Sequence, residues 1–274
     1  MEQKKVILSI AGSDSGAGAG IQADIKAAAA LGGFVCTAIT SVTAQNTLGV
    51  QKVSNLPIDL VMAQIHSVFS DFQVGAIKIG MLGRGELAQA LGLFLKKLDS
   101  KKFSRPVILD PVFVATSGDK LGANDLCSEM IDGLFPHVTL VTPNLYEAEA
   151  LTEMKIQSLE DIQSACQRIA SLGPQWVLIK GGDNQNSDQA LDVLFSKESK
   201  EFFYFEGPKS SSKNTHGTGC SLSTAIAANL VKCSGIPWAV ESAKEYVFRA
   251  IVAGEEKNFG SGQGPIHHFW AAKD

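Results

Sequence analysis

The sequence is short of the patterns that several classes of protein require. Of its 274 residues only 7% are aromatic, and 24 basic residues stand against 28 acidic ones, which gives a net charge of −4. No run of Lys and Arg provides an electrostatic footprint for a phosphate backbone, so the sequence predicts no nucleic-acid partner. No apolar run approaches the roughly 20 residues that span a bilayer, so it predicts no membrane partner either.

Cysteine is also scarce, and its spacing fits neither a cross-linked nor a zinc-bound fold. The five cysteines are odd in number, widely spaced and never arranged as CxxC, which indicates neither a disulfide framework nor a zinc site. Lys4 and Lys5 precede an apolar run as in an export signal, but that run is only five residues long and Asp14 follows closely. We therefore expect a reduced, cytoplasmic protein.

The apolar pattern alternates between short and long segments. Short runs rich in Val and Ile alternate with longer stretches of helical period, which is typical of βαβ units that build a mostly parallel sheet. The predicted strands are 6–11, 35–40, 75–80, 107–109, 138–142 and 176–179, and the clearest helices are 59–72, 86–98 and 158–172. Two further runs, 190–195 and 201–205, predict an antiparallel hairpin at the sheet edge. The predicted fold is α/β, a three-layer α/β/α sandwich in a single domain of residues 1–274.

Polar or flexible residues follow most of the predicted strands. The residues just after the strand ends include Gly12, Met81, Asp110, Asn144 and Lys180. In open α/β sheets, ligands bind beyond the carboxyl ends of the strands, where turns and helix N-termini converge. These segments therefore predict one shared ligand site.

Glycine is the residue in excess, with 26 in the chain, and it forms a first cluster at residues 16–20, GAGAG. Residues 18–23 satisfy the permissive dinucleotide pattern G-x-G-x-x-A after a strand and before a helix. A nicotinamide site also needs an acidic residue about 20 positions later, yet no Asp or Glu occurs between Ala27 and Pro57. No P-loop string is present either. The alternative for GAGAG is a tight strand-to-helix turn.

A second glycine cluster, Thr215–Cys220, runs directly into a helix of small residues at 221–231. The N–H groups around Gly217 and Gly219 would form an anion hole strengthened by the helix dipole, which suits a phosphoryl group in transfer. The same field would lower the pKa of the Cys220 thiol and favour a base or a nucleophile. The alternative is a small, buried cysteine in a turn.

Three charged residues near strand ends point to the same chemistry. Asp110 ends an apolar strand, where a carboxylate needs a cation or a donor, and Mg²⁺ is a reasonable partner. Glu147 lies three residues after Asn144, a spacing that suits a capping box, a metal ligand or both. Lys180 is placed to neutralise phosphate charge, with a merely solvated lysine as the alternative.

Eight short strings in order cover essentially the whole chain and carry a family resemblance. They are AGSDSGAGAGIQADIK from Ala11, TAQNTLGV around Gln45, KIGM at Met81, LDPV at Asp110, TPNLYEAE at Glu147, KGG at Lys180, NTHGTGC at Cys220 and GPIHH near the end. Together they resemble the ribokinase-like superfamily, and most closely its hydroxymethylpyrimidine/phosphomethylpyrimidine kinase branch. Most members of the superfamily have Asp where this chain has Cys220, which argues against ribokinase, adenosine kinase and the Asp-bearing pyridoxal kinases.

The resemblance implies two successive phosphorylations with ATP as co-substrate, in thiamine biosynthesis. The pyrimidine alcohol becomes its monophosphate and then its diphosphate in one site. By resemblance, Asp24 and Gln45 would hydrogen-bond the aminopyrimidine, while Gly12, Met81 and Val112 would line its pocket. Cys220 would help to deprotonate the attacking oxygen.

The resemblance also assigns the phosphate end of the site. The Gly217, Gly219 and Cys220 amides would stabilise the transferring group, Lys180, Thr215 and Asn144 would contact ATP, and Asp110 and Glu147 would organise Mg²⁺. It further implies a homodimer. The alternatives are a pyridoxal kinase, a sensor without catalysis and, more distantly, a hydride-transfer enzyme.

Overall fold

The computed structural model describes residues 4–100, 105–112, 125–182, 189–232 and 235–272; Cys233 lies outside them. The helices are α1 (Gly20–Ala30), α2 (Ile58–Asp71), α3 (Gly85–Ser100), α4 (Leu126–Gly133), α5 (Leu145–Thr152), α6 (Leu159–Ser171), α7 (Thr218–Val231) and α8 (Ile236–Gly254). The strands are β1 (Val6–Asp14), β2 (Val35–Asn46), β3 (Gly49–Asn55), β4 (Val74–Ile79), β5 (Val107–Leu109), β6 (Leu140–Val141), β7 (Trp176–Ile179), β8 (Gln189–Ser196) and β9 (Phe202–Pro208).

The nine strands within the described ranges form one sheet in the order β3-β2-β1-β4-β5-β6-β7-β8-β9. The neighbours from β2 to β7 pair in parallel, whereas β3 and the β8–β9 hairpin pair antiparallel at the two edges. The predicted mostly parallel sheet with an antiparallel edge hairpin is thus confirmed. Strand β3 was not predicted, because its side chains are mostly exposed and its sequence shows no apolar alternation.

Helices cover both faces of the sheet, as the predicted three layers require. One core cluster joins the sheet to α2, α3, α4 and α6 through residues such as Ile65, Leu91 and Met130. The other joins it to α1, α7 and α8, through Ile226 and Val240 among others. All six residues of β4 are buried, as expected for a central parallel strand that is covered on both faces.

Two strands run further than their apolar runs suggested, and this extension shapes the site. Strand β1 continues to Asp14 and β2 continues to Asn46, with Ser13 beside Val42 and Asp14 beside Thr43. The register slips between Ala11 and Ser13, and a slip of this kind re-aims the side chains that follow. Among the described residues, no helix is long and apolar enough to cross a membrane.

Candidate active site

A cavity of about 1180 Å³ opens at the carboxyl ends of the parallel strands. It is the position that the topology of an open α/β sheet predicts for a ligand. All but one of the residues that the sequence analysis assigned to the site line this cavity: Gly12, Gln45, Met81, Asp110, Val112, Asn144, Glu147, Lys180, Thr215, Gly217, Gly219 and Cys220. The exception is Asp24.

The start of α7 forms one wall of the cavity. Gly217 is the N-cap, with φ of +82°, and a Cβ there would lie 1.8 Å from the carbonyl oxygen of Gly18. Only glycine fits that position, because both the backbone conformation and the close approach exclude a side chain. The helix begins at Thr218 rather than at the predicted Ser221, so Cys220 lies in its first turn. The positive end of the helix dipole therefore faces the cavity beside the thiol.

The thiol of Cys220 does not behave as its place in the helix predicts. Burial raises the pKa of Cys220 to about 11, although the nearby ammonium of Lys78 and the N–H of Gly20 act in the opposite direction. Asp24 and Asp110 raise it further. The expectation of a lowered pKa was therefore wrong, because desolvation of the thiolate outweighs the helix field.

A largely buried ion pair lies opposite the start of α7, with the Lys180 side chain 16% exposed. The Lys180 ammonium donates to Asp110 Oδ1 at 2.8 Å, and Thr142 donates to the same oxygen at 3.1 Å. Burial alone would lower the pKa of Lys180, but Asp110 and Glu147 outweigh it and raise the pKa above its usual range. A Cβ at Gly219 would lie 3.3 Å from Lys180 Nζ. The Lys180 ammonium and the N–H groups at the start of α7 therefore face the same part of the cavity.

Asn144 and Glu147 form a complete capping box at the start of α5. The Glu147 N–H donates to Asn144 Oδ1, and the Asn144 N–H donates to Glu147 Oε2, both at 2.8 Å. The Lys180 N–H donates to Pro143 O at 2.9 Å, which fixes this cap against the end of β7. The capping alternative holds, and Glu147 also lines the cavity with Asp110. No group of three His, Cys, Asp or Glu side chains within the described ranges is arranged to hold a metal ion.

The GAGAG segment is a strand-to-helix turn whose amides are already occupied. Asp14 accepts hydrogen bonds from the N–H groups of Gly16, Gly18 and Ala19 at 2.7, 3.0 and 2.8 Å. Burial tends to raise the pKa of Asp14, but bonds from His216, Ala19 and Gly16 outweigh it and lower the pKa. Because a protein carboxylate fills this group of amides, the turn is not available as a phosphate cradle.

Asp24 is the residue that the structure places differently from the prediction. It is fully buried in α1, and its carboxylate accepts two bonds of 2.9 Å from Lys78 and one of 2.7 Å from Thr224. Ser9 donates to it as well. The assignment as a direct substrate contact is corrected, because the carboxylate is bonded within the core and does not reach the cavity.

Three residues of the site region were missed by sequence reasoning. Asp14 and His216 line the cavity and are bonded to each other at 2.9 Å, and Lys78 is the buried partner of Asp24. A lysine within the otherwise apolar segment VGAIKI was the available signal for Lys78, since a buried ammonium requires an anion. The contact of Asp14 with His216 joins residues 202 positions apart, so no local pattern reveals it.

The fold and site together define a class of protein. An open α/β sheet with an open helix start beside a largely buried Lys–Asp pair suits an enzyme that transfers phosphoryl groups. A family model described as phosphomethylpyrimidine kinase matches residues 14–267. The chain belongs to this family, and it is therefore a kinase of the ribokinase-like fold.

The similar proteins agree with this assignment. The chain is 41% identical over 266 residues to the hydroxymethylpyrimidine/phosphomethylpyrimidine kinase of Streptomyces coelicolor, which covers 97% of this chain and 95% of the relative. It is 42% identical to the thiamine biosynthetic bifunctional enzyme of Arabidopsis thaliana, over 97% of this chain but only 50% of that enzyme. The chain thus spans about half the length of the plant relative and nearly the full length of the bacterial one.

Solved structures of two differently named kinases have the same fold as this chain. A pyridoxal kinase from Staphylococcus aureus, in complex with AMP-PCP and pyridoxal, superimposes with a TM-score of 0.84 at 33% identity, covering 98% of this chain and 94% of that one. The phosphomethylpyrimidine kinase of Clostridium difficile superimposes with a TM-score of 0.77 at 36% identity, covering 90% of this chain and 100% of the other.

Proposed function

We propose that this chain transfers the γ-phosphoryl group of ATP to 4-amino-5-hydroxymethyl-2-methylpyrimidine and then to the resulting monophosphate, for thiamine biosynthesis. The observation that carries the proposal is the 41% identity with the Streptomyces coelicolor kinase over nearly the full length of both chains. The chemistry of the cavity supports it, since helix amides, the Lys180 ammonium and two carboxylates line one space.

In the first step, the hydroxyl oxygen of the pyrimidine attacks the γ-phosphorus, and the bond from that phosphorus to the β–γ bridging oxygen breaks. ADP carries away the electron pair, and the hydroxyl proton passes to a base. Cys220 is the base we propose, and it must first be a thiolate. In the second step, a phosphate oxygen of the monophosphate takes the place of the hydroxyl.

The residues at the phosphate end would stabilise the charge that is in transfer. The amides of Gly217, Gly219 and Cys220 at the start of α7 would donate to the equatorial oxygens. Lys180 would neutralise charge on the ATP phosphates, and Thr215 and Asn144 would contact the same phosphates. Because phosphoryl transfer depends mainly on positioning and electrostatics, these groups would supply most of the rate.

Magnesium fits the donor set at this end. Asp110 and Glu147 offer hard carboxylate oxygens toward the cavity, and Mg²⁺ in kinases is bound by one or two carboxylates, substrate phosphates and water. When bound, Mg²⁺ would supply positive charge that offsets the negative charge of the phosphates. The two carboxylates would hold it, while Lys180 stays paired with Asp110.

The other end of the cavity would hold the pyrimidine. Gln45 would hydrogen-bond the ring edge, and Gly12, Met81 and Val112 would surround it. Gly12 and Met81 are already in close contact, since a Cβ at Gly12 would lie 3.2 Å from Met81 Sδ. A side chain at position 12 would therefore narrow the pocket.

The second candidate is phosphorylation of pyridoxal, favoured by the Staphylococcus aureus pyridoxal kinase with its TM-score of 0.84. ADP release from the purified protein, measured with the pyrimidine alcohol, its monophosphate and pyridoxal, separates the two. We expect turnover of both pyrimidines. Turnover of pyridoxal alone would contradict the main proposal, and binding without any turnover would favour a sensor.

Three properties predicted from the sequence stay proposals. They are a homodimer, a cytoplasmic location and one kinase domain over residues 1–274. Sedimentation of the purified chain tests the first, since a monomer at assay concentrations would contradict it. Fractionation of cells tests the second, and cooperative unfolding in one transition tests the third.

A further inference from the structure

The ion pair of Lys78 and Asp24 lies in the core beneath the cavity, and the reaction as described above does not use it. Both side chains are completely buried, and Lys78 Nζ lies 2.9 Å from each oxygen of Asp24. Apolar side chains of similar volume often replace such a pair without loss of stability, because burying two charges costs desolvation. Stability alone therefore does not explain why two charges lie here.

The Lys78 side chain extends toward the carboxyl end of β4, where the cavity opens. A Cβ at Gly80 would lie 2.8 Å from Lys78 Nζ and 3.2 Å from the Cβ of Ala11. Ala11 lines the cavity. The ammonium of Lys78 therefore lies just below the floor of the cavity.

Helices α1 and α7 bring this pair close to the Cys220 thiol. The Gly20 N–H at the start of α1 faces the Cys220 sulfur at the start of α7. Four residues later in each helix, Thr224 Oγ1 donates to Asp24 Oδ1 at 2.7 Å. Residues four apart lie one above the other on a helix face, so the second contact lies one turn below the first. Lys78 donates to the same oxygen of Asp24 at 2.9 Å, about one helical turn from the thiol.

The hydrogen-bonding capacity of the pair is unequally used. Asp24 accepts two bonds from Lys78. It also accepts one from Thr224 and one from Ser9, which together use the four lone-pair directions of a carboxylate. An ammonium has three N–H donors, and within the described ranges Asp24 is the only acceptor assigned to Lys78. The carboxylate is saturated, whereas the ammonium has a donor left for a second anion.

Charged groups from several elements act on the Cys220 thiol. Burial has the largest influence and raises the pKa of Cys220. Lys78 on β4 acts in the opposite direction, whereas Asp24 on α1 and Asp110 after β5 raise this pKa further. Lys180, after β7, also interacts with the thiol, but its ammonium is bonded to Asp110 and is assigned to the ATP phosphates. Lys78 is therefore the cation that remains for the thiol.

Asp24 keeps this cation charged. Burial alone would lower the pKa of Lys78, but Asp24 outweighs burial and raises it. Without a carboxylate at this place, a lysine in the core would tend to lose its proton. The carboxylate thus maintains a positive charge below the cavity floor.

We propose that Lys78 is a positioning residue whose buried ammonium, held by Asp24, is the counter-charge for the thiolate of Cys220. The thiolate then takes the proton of the attacking oxygen and becomes a thiol, and no bond forms between sulfur and substrate. The inference rests on the proposed function, in which Cys220 is the base.

The two members of the pair have opposite charges, so their removal has opposite effects on the thiolate. Lys78→Met removes the positive charge, and Asp24→Asn removes the negative charge while preserving the shape of the side chain. If the pair only supported the packing of α1 and α7, both changes would loosen the same region and would alter the thiol in the same direction.

The test is the rate at which iodoacetamide alkylates Cys220 at about pH 8, without nucleotide or metal, followed by mass spectrometry of the peptide that contains it. The thiolate is the reacting form, so the rate reports the fraction of thiolate. We expect Lys78→Met to slow alkylation about fivefold and Asp24→Asn to accelerate it about fivefold, since each removes one charge about one helical turn away.

Thr224→Val is the matched control, since it removes a neutral partner of Asp24 and is expected to change the rate less than about twofold. Alkylation of Cys127, a half-buried thiol of α4 outside the cavity, is the internal reference and should be the same in all variants.

Changes in the same direction for Lys78→Met and Asp24→Asn, or changes no larger than that of Thr224→Val, would overturn the inference alone. If Lys78→Met does not fold, Asp24→Asn decides by itself, because a slower or unchanged rate would overturn the inference and a faster one supports it. Absence of ADP release from the wild type with either pyrimidine would overturn the proposed function and this role in it, whatever the alkylation rates.

Discussion

The two glycine-rich turns of the cavity look alike in sequence and differ in what their amides do. In the GAGAG turn, the N–H groups of Gly16, Gly18 and Ala19 all donate to Asp14. At the start of α7, within the part of the chain that the structure describes, no protein acceptor is assigned to the N–H groups of Gly219 and Cys220. The first turn is filled by the protein itself, whereas the second is open to a ligand.

The comparison shows that a glycine cluster identifies a tight turn but not an anion site. An anion site also needs amides that no side chain of the protein occupies. In the first turn, Asp14 lies just before GAGAG and occupies the amides. No acidic residue lies between Pro208 and Cys220 to do the same in the second turn. The two turns are nevertheless in contact, because Gly217 packs against Gly18.

The largest effect is expected where the two turns touch. Gly217→Ala would place a Cβ 1.8 Å from Gly18 O at a φ of +82°, so both turns must move. We expect stability to fall by about 3 kcal/mol and kcat/KM to fall by more than about 100-fold. Gly235→Ala is the matched control, since nothing lies within 4 Å of its Cβ position. Near-normal activity of Gly217→Ala would show that the turns do not depend on this contact.

The next largest effect is expected for Lys180, whose ammonium lies beside the N–H groups at the start of α7. Lys180→Ala removes the ammonium 2.8 Å from Asp110, and we expect kcat/KM for ATP to fall about 100-fold. Binding of the pyrimidine should change much less, which titration of each ligand separately can measure. Lys155→Ala, which removes an exposed ion-pair partner, is the control. Equal losses for both ligands would contradict the assignment of Lys180 to the phosphate end.

Most of the fold could be predicted because its signals are local. Strands β5 and β7 have the bounds that their apolar runs predicted, and the β8–β9 hairpin follows from a change in pattern. Strand β3 escaped prediction because an exposed edge strand needs no apolar face. The extensions of β1 and β2 also escaped, because Ser13, Asp14 and Gln45 are polar residues in strands that line a cavity.

The site could be predicted wherever a residue follows a strand end or starts a helix. Lys180, Asp110 and the Asn144 cap lie in the cavity for that reason. Asp24 was misassigned, because its direction depends on how α1 packs against Lys78 and Thr224, which come from other elements. Local sequence carries no information on such packing.

The third prediction concerns the Asp14 carboxylate, which accepts from the amides of the GAGAG turn. Asp14→Asn removes the charge that three amides and His216 share, and we expect stability to fall by about 2 kcal/mol at neutral pH. The folded pKa of Asp14 is lowered, so its contribution is present above the unfolded value of about 3.9 and is lost as pH falls through the folded one. The variant should therefore lose less stability than the wild type between about pH 5 and pH 2.

Asp161 offers a matched comparison for Asp14, measured by the same denaturant titrations. Asp161 is exposed and also accepts backbone N–H groups, at the start of α6. Because water screens it, Asp161→Asn should cost less stability than Asp14→Asn. If the two variants lost the same stability, filling the turn would contribute nothing beyond an ordinary exposed cap.

The last prediction concerns the Cys220 thiol at the start of α7. With the pKa of Cys220 raised to about 11, only about 1 thiol in 10,000 is a thiolate at pH 7. If Cys220 is the base, kcat/KM for the pyrimidine should rise about tenfold per pH unit between about pH 7 and 9, because each unit multiplies the thiolate tenfold. In Cys220→Ala this slope should disappear. A flat wild-type profile over this range would have two explanations: bound substrates lower the pKa of Cys220, as the helix field favours, or another group takes the proton. A slope that is retained in Cys220→Ala would establish that another group takes the proton.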